Sequence, residues 1–326
     1  MRARLKDRLA ISRERYALVT LLALVALSSI VLTGAGVRMT GSGLGCPDWP
    51  KCYGGTTPPL ELHAVIEYGN RLVTALVGIA VIAAASLAWF RRPFRGHLAV
   101  FGALLPLGVI AQAILGALVV KYDLAPGLVM CHFILSMMLL DAGFALAWCS
   151  RFEPWERRRS NDRLGVWAVR VLIPLGQLTI LAGTIATGSG PHAGAHEGQL
   201  VHRFDFEGTG TLEWVVQRHA AIAAVYGFAA IGVWLFLRRP GGDRRALRPL
   251  TVVIGLLALQ GAIGAVQWYL ELPGELVWLH VAVATCNWLA MLWTVAAAGR
   301  LRPRREPVAA EGESAERRAP AAAGSL

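Results

Sequence analysis

The sequence predicts an all-α membrane protein, with eight transmembrane helices arranged as two parallel four-helix-bundle repeats. Three observations carry this. The 326 residues are 55% hydrophobic and only 16% charged, with a mean hydropathy of +0.51, which is too apolar for a soluble domain. Eight runs reach the roughly 20 apolar residues that a spanning helix needs: 17–37, 64–90, 98–120, 128–149, 169–187, 213–237, 249–270 and 275–298. The chain also repeats itself. "QAILGALVVKYDLAPGLVMCH" (112–132) aligns without a gap with "QGAIGAVQWYLELPGELVWLH" (260–280), matching Gln112 with Gln260, Gly116 with Gly264 and His132 with His280. "TGSG" at 40–43 recurs at 187–190, and "NRLVTALVG" (70–78) aligns with "HAAIAAVYG" (219–227). An even number of spans per unit makes both units enter from the same side, with a pseudo-twofold axis along the membrane normal.

Charge sets the order and orientation of the elements. Arg and Lys gather in a basic N-terminal tail (1–16), in "RRPFR" (91–95), in a linker (151–168), in "RRPGGDRRALR" (238–248) and in the C-terminal tail (300–326). The connections at 38–63, 121–127, 188–212 and 271–274 carry few. Cytoplasmic loops concentrate Lys and Arg, so both termini are expected in the cytoplasm of a multi-pass plasma-membrane protein. The net charge of +11 is then a matter of topology, with membrane lipid rather than nucleic acid as its partner. The first helix follows a basic stretch as a signal peptide would. It is long and lacks a small-residue cleavage site, and is read as retained. The first repeat spans 17–150 and the second 169–299, and the polar tail from 300 to 326 is expected to be disordered.

Superposing the repeats brings four positions together: Asn70 with His219, and His132 with His280. Each lies one to two turns inside the outer end of an even-numbered helix, about 5–10 Å deep at 1.5 Å per residue. Polar groups inside a bilayer are costly and point to function. Two histidines at one depth on neighbouring helices can supply both axial ligands of a haem. His219 and His280 suit that role, and in the first repeat only His132 remains as a metal ligand. Arg38, Arg71, Lys121, Arg203 and Arg218 lie near the outer surface, where haem propionates would emerge. Interhelical hydrogen bonding is the plainer use of a membrane histidine, but three at repeat-related positions favour iron. No cluster within the helices has the spacing of a zinc site. His192, His196 and His202, in the third outer loop, read as solvated residues.

Helix two opens with "IEYGNR" (66–71). Glu67 and Arg71 are four residues apart and can pair, yet the counterpart of Glu67 is the apolar Val216. A structural ion pair required by the fold would recur in both halves, which favours a carboxylate aimed into the first pocket, one turn from Asn70. Asp141, deep in helix four, fits either a hydrogen bond to a neighbour or a proton path. Cys46 and Cys52, in "CPDWPKC", face a compartment that permits disulfides and read as one, with a reactive redox pair as the alternative. Cys131, Cys149 and Cys286 read as small core residues.

"TGSGLGCPDWPKCYGG" (40–55), "IEYGNRLVTALVG" (66–78), "LVMCH" (128–132) and "IATGSGPHAG" (185–194) closely resemble the bacterial type of the haem A synthase family. The likeness covers nearly the whole chain except the tails. It implies an oxidoreductase that converts the C8 methyl of haem O to a formyl group by successive hydroxylations, giving haem A for cytochrome oxidase. It implies a haem b held by His219 and His280, a substrate haem at position 70 and His132 with Arg71 nearby, an essential Glu67, and the cysteine pair Cys46 and Cys52. This chain departs from the family's Glu-x-x-His motif, reading Glu67-Tyr68-Gly69-Asn70. Three outcomes are open: an iron bound through His132 alone, which retention of Glu67 and His132 favours; His63, two turns earlier, as a substitute ligand; or a half that only binds haem. The expected partners are haem O, membrane lipid and an electron donor such as quinol, with a haem O synthase and a second copy of the chain as further candidates. A dihaem b-type electron carrier and a haem transporter or delivery protein are the rival functions.

Overall fold

The computed structural model describes residues 10–156, 159–196, 198–199 and 201–301. The expected disordered tail therefore falls almost entirely outside the described residues, as do residues 1–9 of the basic tail. Among the described residues eight helices are long and apolar enough to cross a membrane: α1 (Arg13–Met39), α2 (Leu62–Leu87), α3 (Gly96–Lys121), α4 (Pro126–Arg151), α5 (Arg163–Ser189), α6 (Thr211–Leu237), α7 (Leu247–Tyr269) and α8 (Gly274–Ala298). The protein is an all-α, multi-pass membrane protein. Most helices run two to six residues beyond one or both ends of the apolar runs, and α1 and α5 are capped by polar side chains. Ser12 accepts the Arg15 N–H at the start of α1, Asp162 accepts the Gly165 N–H at the start of α5, and Pro126 opens α4, where its missing N–H costs nothing.

The helices pack as two rings of four. In the first, α1 touches α2, α2 touches α3, α3 touches α4, and α4 returns to α1. In the second, α5, α6, α7 and α8 close in the same order. The rings meet where α1 contacts α8, α4 contacts α5, and α4 contacts α8. The repeat extends to backbone detail. The α3–α4 connection turns through the left-handed residues Asp123 and Leu124, and the α7–α8 connection turns through Glu271 and Leu272 at the equivalent places.

The basic end is more than a topology signal. Arg91 is fully buried and pairs with Glu153. Arg95 donates to the carbonyls of Cys149 (2.9 Å) and Phe152 (2.7 Å). In the second unit Asp162 accepts from Arg239 at 2.5 Å and from the Asp243 N–H at 3.0 Å. Arg159–Ser160 and Arg300–Leu301 pair as a two-rung parallel ladder (β1 and β2), tying the linker to the end of α8.

Candidate functional site

At the opposite end, the stretch from 40 to 52 folds tightly because glycines let other backbone approach. A Cβ on Gly45 would lie 2.2 Å from the His63 carbonyl oxygen, and one on Gly41 2.9 Å from that of Ala195. Gly45 therefore presses the loop onto the start of α2. There Cys46 and Cys52 form a disulfide, fully buried against Ala64 and Tyr68. Gly43 donates to the Gly194 carbonyl at 2.7 Å, so the first unit's motif is braced by the third outer loop.

Glu67 is buried beneath this loop. Its Oε2 accepts the Cys46 N–H at 2.7 Å, and its Oε1 accepts from Arg71 at 2.5 Å. Arg71 also donates to the carbonyls of Asp48 (3.0 Å) and Lys51 (2.8 Å). The Glu67–Arg71 pair expected from their spacing is therefore present, and together the two side chains clamp the disulfide loop to the start of α2. Beside it, Pro47 and Trp49 of the loop and Ala117, Val120, Lys121 and Asp123 at the end of α3 line a cleft of about 420 Å³.

His219 and His280 face each other in the second ring, with ring centroids 6.3 Å apart and planes inclined at 67°. A metal held between two imidazoles at about 2 Å per bond, plus about 1 Å from each nitrogen to its ring centre, requires centroids about 6 Å apart. The pair therefore has the spacing of two axial ligands. Close approach of backbone shapes the pocket. A Cβ on Gly183 would lie 3.0 Å from the His219 ring, and one on Gly264 3.5 Å from the His280 ring. Gln260 donates to the His280 carbonyl at 3.1 Å. The Nδ1 atoms of His219 and His280 are buried without a hydrogen-bond partner.

The first ring reproduces half of this. A Cβ on Gly116 would lie 3.5 Å from the His132 ring, Gln112 donates to the His132 carbonyl at 3.0 Å, and His132 Nδ1 is likewise buried and unpartnered. The repeat-equivalent of His219 is Asn70, whose Oδ1 accepts the Thr33 hydroxyl at 2.8 Å. His63 is engaged elsewhere: its Nδ1 lies 3.0 Å from the Ser42 hydroxyl and its ring stacks on His196 at 4.8 Å. His192 contacts the Leu272 carbonyl at 2.6 Å, while His202 is exposed. Among the described residues no group of three or more His, Cys, Asp or Glu side chains could hold a metal ion.

The outer cations differ in their commitments. Arg38 donates to the carbonyls of His192 (2.7 Å) and Thr187 (3.0 Å), joining α1 to α5 and the third loop. Arg71 is held in the clamp, Arg203 donates to the Pro191 carbonyl, and Arg218 lies over the Trp214 ring. Lys121 lies over Tyr122 and borders the cleft. Asp141 accepts the Trp288 N–H at 2.7 Å, a hydrogen bond to a neighbour across the interface of the two rings. Trp278 also crosses, donating to the Leu32 carbonyl at 2.9 Å. Neither tryptophan has a tryptophan at its repeat-equivalent position, so the repeat carried no signal for them.

Comparison with known proteins agrees with this architecture. The family model COX15-CtaA, described as cytochrome oxidase assembly protein, matches residues 16–295. A haem A synthase of Bacillus licheniformis is 34% identical over 118 residues, covering 35% of this chain and 38% of the relative. One from Geobacillus kaustophilus is 38% identical over 104 residues, 32% of each chain. A protohaem IX farnesyltransferase of Thermus thermophilus is 27% identical over 303 residues, 88% of this chain and 49% of the relative. Each match thus spans less than half of the relative's length. With the family model matched from the first span to the last, the chain belongs to the COX15-CtaA family of cytochrome oxidase assembly proteins.

Proposed function

We propose that the protein is a haem A synthase, an oxidoreductase that converts the C8 methyl of haem O to the formyl of haem A for cytochrome oxidase. The observation that carries this reading is the contrast between equivalent positions: two facing imidazoles in one ring, and an imidazole with an amide beside a buried carboxylate in the other. Family membership and the haem A synthases among its relatives support it.

On this reading His219 and His280 hold a haem b, which supplies one-electron transfer when bound. His132 holds the substrate haem O from one side. Asn70 is a poor iron ligand and leaves the other side open for oxidation. Glu67, one turn from Asn70, moves a proton or balances charge at the substrate's edge. Arg71 and the Cys46 amide hold that carboxylate in place, while the disulfide loop covers the ring's mouth and excludes water. Lys121, at the cleft, is the cation best placed for a substrate propionate. The disulfide and the charge asymmetry of the loops support an outward-facing site in the plasma membrane, with cytoplasmic termini. Haem O is a farnesylated haem, and the Thermus relative bears the name of the enzyme that farnesylates protohaem IX, which supports haem O as substrate and its synthase as a partner. With dioxygen as the oxidant, each hydroxylation puts one oxygen atom on the methyl carbon and reduces the other to water with two electrons and two protons, for which a membrane quinol is the donor of suitable polarity.

Pigment extraction from the purified, full-length protein tests this. Haem A or its alcohol precursor alongside haem b is the expected result. Haem b alone would leave an electron carrier, and no pigment would overturn haem chemistry altogether.

A further inference from the structure

The first ring differs from the second at two linked positions. Aligning the "TGSG" motifs places Gly36 opposite Gly183, and Thr33 opposite the apolar Ile180. In the second ring a Cβ on Gly183 would strike the His219 ring at 3.0 Å, whereas one on Gly36 meets nothing of Asn70 and only Trp278 Nε1 at 3.8 Å. The side chain of Asn70 does not lie along the path of the imidazole it replaces. It reaches one turn further along α1, where the Thr33 hydroxyl donates to its Oδ1 at 2.8 Å. A hydroxyl has one proton. The alternative acceptor, the Ile30 carbonyl, is longer at 3.3 Å. The hydroxyl that fixes the amide is present only in the ring that carries the amide.

That bond engages the oxygen end of the amide. With Oδ1 bound to Thr33, the NH₂ group keeps both donors, and among the described residues it donates to none. An amide NH₂ does not ligate iron, but it can hydrogen-bond to a small ligand that does, and distal donors of this kind govern which ligands a haem pocket accepts.

We propose that Asn70, oriented by Thr33, is the distal hydrogen-bond donor of the first ring. Its amide N–H groups would face His132 across the bound haem and stabilise small ligands with an acceptor atom on the open side of the iron. This rests on the reading that His132 holds a haem there. Thr33 is a positioning residue, acting only through Asn70.

The test uses the full-length protein with its haems, probed with azide in the ferric state and carbon monoxide in the ferrous state. A haem closed by two imidazoles takes up neither probe readily, so both report on the first ring, and the low-spin signal of the second ring monitors folding. Asn70→Leu is expected to weaken azide binding about three- to tenfold, the worth of one hydrogen bond, and to shift the carbon monoxide stretch to higher frequency. Thr33→Val is expected to act in the same direction more weakly, and Thr33→Ser to restore the parent values. Asn70→His is expected to abolish probe binding by closing the open side. Unchanged azide affinity and stretching frequency in Asn70→Leu would overturn the donor assignment while leaving the haem in place. Failure of the parent protein to bind either probe would instead overturn the His132 reading on which the proposal stands.

Discussion

The second ring is symmetric about its proposed iron, and the first is not. Both rings keep a glycine under one histidine and a glutamine gripping that histidine's carbonyl. They part at His219 against Asn70, at Ile180 against the Thr33 that binds that amide, and in the loop at the outer end. The first ring alone has a disulfide loop pinned to a buried carboxylate. The difference teaches how a duplicated bundle can come to offer two unlike sites. Saturating both sides of an iron favours electron transfer, while vacating one and adding a carboxylate favours chemistry on the bound macrocycle.

The most disruptive way to break the comparison is to remove a ligand from the symmetric ring. His280→Met is expected to eliminate the low-spin haem b spectrum and product formation together, read by optical spectroscopy and pigment extraction. His219→Asn makes the second ring imitate the first, and its haem is expected to become high-spin and to gain carbon monoxide binding. Replacing Glu67 with Gln keeps the size of the side chain and an acceptor for Cys46. Product is expected to fall by about a hundredfold or more, within the usual range for a general acid or base, with the haem b spectrum intact. Normal yield would confine Glu67 to clamping the loop. Cys52→Ser opens a short loop whose closure is worth about 2 kcal/mol by chain entropy. It is expected to make the 46–52 segment more susceptible to proteolysis and to lower product yield less than Glu67→Gln does. Smallest is Trp288→Phe, which strips Asp141 of its donor across the ring interface. A loss of about 1 kcal/mol is expected, seen as a lower melting temperature with both haem spectra unchanged.

Much of this contrast was legible before any coordinates. Long apolar runs admit one secondary structure in a bilayer, so the eight spans could be read from composition. The gap-free alignment of 112–132 with 260–280 placed His132 and His280 at one depth. Polar partnerships across the fold were not legible. Nothing local says that the Cys46 amide meets Glu67, that Asp141 meets Trp288 147 residues later, or that Arg91 is fully buried against Glu153 rather than solvated in a basic loop. The Gln112 and Gln260 match was visible in the repeat, but its purpose appears only where each side chain meets a histidine carbonyl. Thr33 stands opposite the apolar Ile180 in the repeat, but its partner was not legible, since a hydroxyl in a membrane helix ordinarily bonds back to its own backbone.

The central claim is that the two rings hold iron differently, and electron paramagnetic resonance of the oxidised, full-length protein tests it most directly. One low-spin bis-imidazole signal that vanishes in His280→Met, beside one high-spin signal that vanishes in His132→Ala, is the result expected. Two equivalent low-spin signals, or a spectrum indifferent to all three histidines, would contradict it.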